Sequence, residues 1–497
     1  MGTPDFDLDR YREGAESFLE QIDREYYLHL AGHKPDLEIR PIYERHGELF
    51  ERRSVERLRE LAAAASGDEA RRLRYLLQLA LDGFLGAETR AQAEELARLE
   101  ASLEVAVGGR AIPYRGVAAE QANEPDASRR AALEEARDAL LSERFDPLLR
   151  EALEREHELC RELGWAGYAH AYGELRGIDL LALARQATEF LSATEGSYER
   201  VAGPELSRAG VPPLGELRRS DLTRFFRAPD LDRLYPAERL VPSFTETLAG
   251  LGIDLRDQAN VTLDTERRPT KSPRAFCSHP RAPHEVYLVV APVGGRDDFA
   301  ALFHEGGHTE HYANVDPALP FEFRQLGDNS VTESFAFLLE HLVDDPEWLE
   351  ARLGVADAAA AAAHSHAVQL YFLRRYAVKL AYELELHGPA PELDRMPTRY
   401  AELLQSATRV RWSRASWLAD VDGAFYVACY LRAWALETRW RAALRDRFGR
   451  RWFESREAGA WLRSLWAQGQ RLGGDELLAE TLGERIDFGV MAEPFTP

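Results

Sequence analysis

The chain has 497 residues, with 84 acidic and 62 basic side chains, for a formal charge of −22 at neutral pH. A surface this acidic repels phosphate backbones and anionic headgroups, which argues against nucleic acid or a membrane as partner. Hydrophobic residues at 45% and charged residues at 29% describe a globular chain, long enough for a large core or two to three lobes, and exclude disorder as the default.

Only Lys34, Lys271 and Lys379 are lysines, an arginine skew that reads as coding bias and not as a binding code. Cys160, Cys277 and Cys429 are far apart and lack C-x-x-C spacing, so neither a disulfide framework nor a cysteine metal site is indicated and a reducing cytoplasm fits. The first residues, MGTPDFDLDR, have no basic start and no apolar core, unlike a secretion signal. Gly2 invites N-myristoylation, but Phe6 stands where that motif wants Ser or Thr.

In chain order, helical periodicity fills residues 10–30, 52–104, 128–163 and 179–200. One helix is expected to start at Asp146-Pro147, an acid at the N-cap followed by proline at the first helical position. Pro and Gly cluster at 203–215 and 388–397, which predicts loops. The alanine run 358–363 reads as ordinary helix. From about 260 to 293 the β-formers concentrate as NVTLD, RAFC and EVYLVVAPV, predicting a small sheet, with Val286–Val290 as a possible edge strand to which an extended peptide could add. The fold class expected is mainly α, two-lobed, with an N-terminal helical lobe over 1–202 and a catalytic lobe over 203–497 carrying the sheet.

After Gly294-Gly295 the helical pattern returns in DDFAALFHEGGHTEH, which contains His304-Glu305-Gly306-Gly307-His308. Residues i and i+4 of a helix lie about 40° apart around the axis and about 6 Å along it, so His304 and His308 can reach one zinc ion while Glu305 stands beside it. His311 shares the face of His304 but lies about 10 Å along the axis from it, too far for both to hold one ion. A packing role is expected for it. Glu333, one of few charges in VTESFAFLLEHL, is the expected third ligand. Glu340, seven residues on, is placed to orient a ligating histidine. Two histidines on one helix and a glutamate on the next make a gluzincin set with one Zn2+ per chain.

These residues resemble a known family. Arg274-Ala275-Phe276-Cys277, an apolar strand, a glycine turn, HEGGHTEH and ESFAFLLE are similar to the thimet oligopeptidase and oligoendopeptidase F family of zinc peptidases, with Gly307 and His311 at family positions. NEPDASRRAALEEA (123–136), GWAGY (164–168), RRYAVKLAYELELHG (374–388) and GAFYVACYLRAW (423–434) are also similar to family segments, so the resemblance covers about residues 120–440. It implies a two-lobed helical zincin that hydrolyses internal bonds of short peptides, with helical lobes enclosing the zinc. Glu305 would be general base and proton shuttle, and a hydroxyl from Tyr426 or Tyr430 would donate to the oxyanion.

Two departures stand out. Gly306 replaces a bulky residue, and two consecutive helical glycines cost about 1 kcal/mol each against alanine, so either the backbone approaches something closely there or the branch is divergent. Ala428 and Cys429 replace Tyr and a polar residue, which leaves open which tyrosine acts. The runner-up resemblance is to the thermostable metallocarboxypeptidases of similar helical fold, whose Tyr-Glu-Gln run after the second histidine is Thr309-Glu310-His311 here. A reading of another class is a zincin-fold binding protein without activity.

Overall fold

The computed structural model describes residues 6–496; Gly2 lies outside them. The fold is mainly α, 70% helical, with two small separate sheets of two and three strands. Among the described residues no helix is long and apolar enough to cross a membrane.

The chain divides into two compact units of three segments each. The first comprises Met1–Phe84, Asp230–Ala362 and Arg432–Ile486, and the second Leu85–Pro229, Ala363–Leu431 and Asp487–Pro497. This division does not fall at residue 202, and a helix runs through the first part, 203–208, of the segment read as a loop there. One helix, Leu180–Arg208, carries Gly203 and Pro204 near its end while burying Ala202, Glu205 and Leu206. Proline forfeits a backbone hydrogen bond in a helix, but packing of the neighbouring turns outweighs that local cost.

In the second unit, strands β1 (Glu104–Val107) and β2 (Arg110–Pro113) form an antiparallel hairpin that pairs Val105 with Ile112. Both side chains enter a core with Leu99, Leu133 and Phe145. The signal was a short apolar alternation about Gly108-Gly109, masked by the helical periodicity before it. The helix expected from Asp146-Pro147 is present as Asp146–Glu162, with Pro147 in its first turn, but the Asp146 side chain does not cap it. A π-helical turn, Leu141–Phe145, joins the flanking helices, and Asp146 Oδ2 instead accepts from Trp417 Nε1 at 2.9 Å. A second core gathers Tyr382, Leu386, Tyr400, Leu404 and Trp417.

In the first unit, strands β3 (Val261–Asp264), β4 (Phe276–Arg281) and β5 (Glu285–Val289) are ordered β3-β5-β4, with β5 parallel to β3 and antiparallel to β4. The strand read as a possible edge is therefore the centre of the sheet, since β5 is paired on both sides. The edge strand β4 starts at Phe276, inside RAFC, and runs on to Arg281. Among the helices that follow the sheet are Arg296–Ala313, the motif helix, and Asn329–Leu342, the glutamate helix.

Candidate metal centre

The motif helix starts after Gly294-Gly295 with Asp297 and Asp298 in its first turn, where negative charge complements the helix dipole. Asp298 Oδ2 accepts from the amides of Val293 and Gly294 at 2.8 and 2.9 Å, which fixes the entry of the chain. The glutamate helix is capped by Asp328, whose Oδ1 accepts from Ser330 N–H at 3.0 Å. Asp328 Oδ2 also accepts from Arg432 Nη1 at 2.7 Å and from the amide of Gly474 at 2.9 Å. Burial alone would favour the neutral acid, but Arg432 and these donors hold the Asp328 carboxyl at about 2.

The two glycines now have a cause. A Cβ at Gly307 would lie 2.5 Å from Ala336 Cα and from Phe335 O, so the motif helix touches the glutamate helix backbone to backbone. A Cβ at Gly306 would lie 2.3 Å from Cε2 of Phe244, a fully buried ring. Of the two readings left open by the sequence, close approach is the one observed. Both glycines trade helix propensity for contact, and the contact at Gly307 brings Glu333 to the histidines.

The geometry follows from that contact. His304 Nε2 and His308 Nε2 lie 3.4 and 3.7 Å from Glu333 Oε2, and one ligand atom from each residue falls within 4.8 Å of the others. Ligand atoms around a tetrahedral zinc at 2.0–2.1 Å stand about 3.3 Å apart, so the 3.4 Å separation is close to that spacing and the 3.7 Å one is wider. The remaining ring nitrogens are also satisfied. His304 Nδ1 donates to Glu340 Oε2 at 2.8 Å, and His308 Nδ1 lies 2.8 Å from Thr332 Oγ1. Each imidazole thus turns Nε2 toward the common point while a partner holds Nδ1, the arrangement that fixes tautomer and ring orientation in metal sites.

Electrostatics fit a cation. Burial disfavours a charged His304, but the Glu333 and Glu340 carboxylates overcome this and raise it to about 10. Burial lowers His308 to about 3. A protonated His304 thus places one positive charge between the carboxylates of Glu333 and Glu340, where a divalent ion would place two. Glu305 projects beside the set. Burial raises its carboxyl pKa, opposed by the charge of His304 and by the Cys277 amide, which donates to Glu305 Oε2 at 2.9 Å.

No family model matches this chain, and no curated protein matches it.

Of the residues singled out from the sequence, His304, His308 and Glu333 converge, with Glu305 and Glu340 against them. His311 does not join the set: it is fully buried, with ring centroids 5.2 and 5.1 Å from Tyr312 and Phe335, and burial lowers it to about 3. Tyr426 and Tyr430 belong to the second unit, one turn apart in the helix Tyr426–Phe448 with ring centroids 4.9 Å from each other. Both are half-buried. Arg176 lies over the Tyr426 ring, and Tyr376 meets Tyr430 edge-on. The sequence reading missed Thr332, the Cys277 amide and the Asp328–Arg432 pair. Thr332 was findable, since it precedes Glu333; a backbone amide and a partner 104 residues away leave no local signal.

Proposed function

We propose that this protein is a zinc-dependent metallopeptidase that hydrolyses internal bonds of short oligopeptides, acting in the cytoplasm without nucleic-acid or membrane partners. The observation that carries the reading is the convergence of His304, His308 and Glu333, with Glu305 beside them and a partner on each distal imidazole nitrogen. Zinc at this set, when bound, supplies a water of lowered pKa and polarises the scissile carbonyl. His304 and His308 offer Nε2 as ligands, while Glu340 and Thr332 keep the rings from rotating. Glu305 takes a proton at its carboxylate and returns it to the leaving amine. The Cys277 amide holds one of its oxygens, and burial lifts its affinity for that proton. The resemblance further implies an oxyanion donor in Tyr426 or Tyr430, a contribution of about 3 kcal/mol for one well-placed hydroxyl.

The test compares wild type with Glu305→Gln for bound zinc and for cleavage of matched peptides with free and amidated C-termini. Zinc in both chains and internal cleavage of both peptides in wild type alone supports the reading. Cleavage restricted to the free C-terminus points to a metallocarboxypeptidase. Absence of zinc or of cleavage in wild type returns the chain to a binding protein of this fold.

A further inference from the structure

Strand β4 offers little to an extended substrate. It pairs with β5 on one side only, and on the other side Cys277 N–H donates to Glu305 and His279 N–H donates to Asp23 Oδ2 at 2.6 Å. A peptide lying along this strand must compete with a carboxylate for each of these two amides, so side-chain contacts have to supply its anchoring.

The metal set opens on one side. Side-chain exposure rises from 7% at Glu333 and 14% at His308 to 20% at His304 and 31% at Glu340. Phe337 stands on that side. It lies four residues after Glu333 and three before Glu340, so the three share one face of the glutamate helix. Its ring meets His304 edge-on, with centroids 5.2 Å apart. The core does not need an aromatic ring there: Phe335, Leu338, Leu339 and Leu342, each 1% exposed, fill the opposite face. Phe337 itself is only half-buried.

Trp434 completes the surface. Its indole stacks on Phe337 with centroids 5.1 Å apart and planes at 27°, and it too is half-buried. Its helix is fixed on both sides of it, by Arg432 in the buried pair with Asp328 and by Trp440, whose Nε1 donates to Ser334 Oγ at 3.2 Å. The two rings are thus a preformed apolar surface that borders His304, where a residue flanking the bond under attack would bring its side chain.

We infer that Phe337 and Trp434 form an apolar subsite for a residue next to the scissile bond, and that the preferred substrates carry a large apolar side chain there, aromatic above all. The inference rests on the peptidase reading and deepens it. An aromatic substrate ring gains both from leaving water and from offset or edge-on contact with the pair, while a glycine gains neither.

Equilibrium binding by calorimetry reads the subsite without turnover. Zinc-loaded Glu305→Gln chains, with Phe337 intact or as Phe337→Ala or Phe337→Tyr, are titrated with blocked Gly/Ala hexapeptides that carry Phe, Arg or Gly at one central position, after the zinc content of each chain has been measured. The Phe peptide is expected to bind about tenfold more tightly than the Gly peptide. Phe337→Ala should erase most of that difference and Phe337→Tyr should keep it; Trp434→Leu repeats the test on the second ring if Phe337→Ala loses zinc. In wild type, mass spectrometry should place the cut beside the Phe. Equal binding of the Phe and Gly peptides, an Arg peptide that binds as tightly as the Phe peptide, an unchanged preference in Phe337→Ala, or a cut away from the Phe overturns the inference. Cleavage of all three peptides at equal rates would overturn it and leave the peptidase reading intact. A Phe preference that Phe337→Ala erases, in a chain whose wild type cuts nothing, would leave the subsite standing and refute the peptidase reading alone.

Discussion

The close approach at Gly307 makes a quantitative demand on Gly307→Ala. The new methyl would lie 2.5 Å from Ala336 Cα and Phe335 O, 0.9 Å inside the 3.4 Å at which ordinary contact begins. Neither atom can swing aside, because both belong to the backbone of the glutamate helix. The two helices must therefore part by about 0.9 Å, and Glu333, three residues from Ala336, moves with its helix. Metal–ligand distances tolerate about 0.2 Å, so the carboxylate leaves the position it shares with His304 and His308. Zinc affinity should fall by at least the ten- to hundredfold that loss of an orienting partner costs. Helix propensity works the other way: alanine for glycine gains about 1 kcal/mol, set against about 1–3 kcal/mol for overpacking. Competition with a chromophoric chelator reads the affinity, and denaturant unfolding of the metal-free chains reads the stability. A variant that is more stable and binds zinc as tightly as wild type would refute the backbone contact as the device that sets the site.

Further outcomes are expected. Glu340→Gln and Thr332→Val should each weaken zinc binding by about ten- to hundredfold while leaving Tm of the metal-free protein within a few degrees, as chelator competition and calorimetry will show. Zinc must displace the proton that His304 keeps up to about 10, so log affinity should climb by about one per pH unit from 7 toward 9; a flat profile would contradict this. The same raised pKa stabilises the metal-free fold fully below its ordinary value of 6.5, and that stabilisation is lost as pH rises toward 10, so Tm of the metal-free chain should drop over that range. Asp328→Ala should cost about 4 kcal/mol, mostly from leaving Arg432 buried and unpaired. In wild type the depressed Asp328 carboxyl contributes about 2 kcal/mol. That contribution is full above its ordinary pKa of 3.8 and disappears as pH falls through about 2, which acid titration of stability will test.

How far the site was legible follows from the range of the interactions that build it. His304, Glu305 and His308 are set by one helical turn, and Glu333 and Glu340 by two turns of another, so period and spacing were enough to pair them. The mainly helical fold and the location of the three-stranded sheet were legible for the same reason. What spacing could not convey is which backbone meets which. Gly306 and Gly307 looked like a helix-weakening anomaly until Phe244 and Ala336 were found against them. β5 looked like an edge because its parallel partner β3 lies more than twenty residues upstream. Gly203-Pro204 looked like a break because the burial of Ala202, Glu205 and Leu206 is tertiary and invisible to local propensity.

The carboxylates that occupy the outer amides of β4 also bear on how the protein behaves in company. A bare strand edge offers its donors to any other chain and seeds intermolecular sheets. Here Asp23 and Glu305 cover the donors of His279 and Cys277 and surround them with negative charge. A substitution at Asp23 would uncover the His279 amide without touching His304, His308 or Glu333, and its first symptom would be loss of solubility on storage, visible by light scattering.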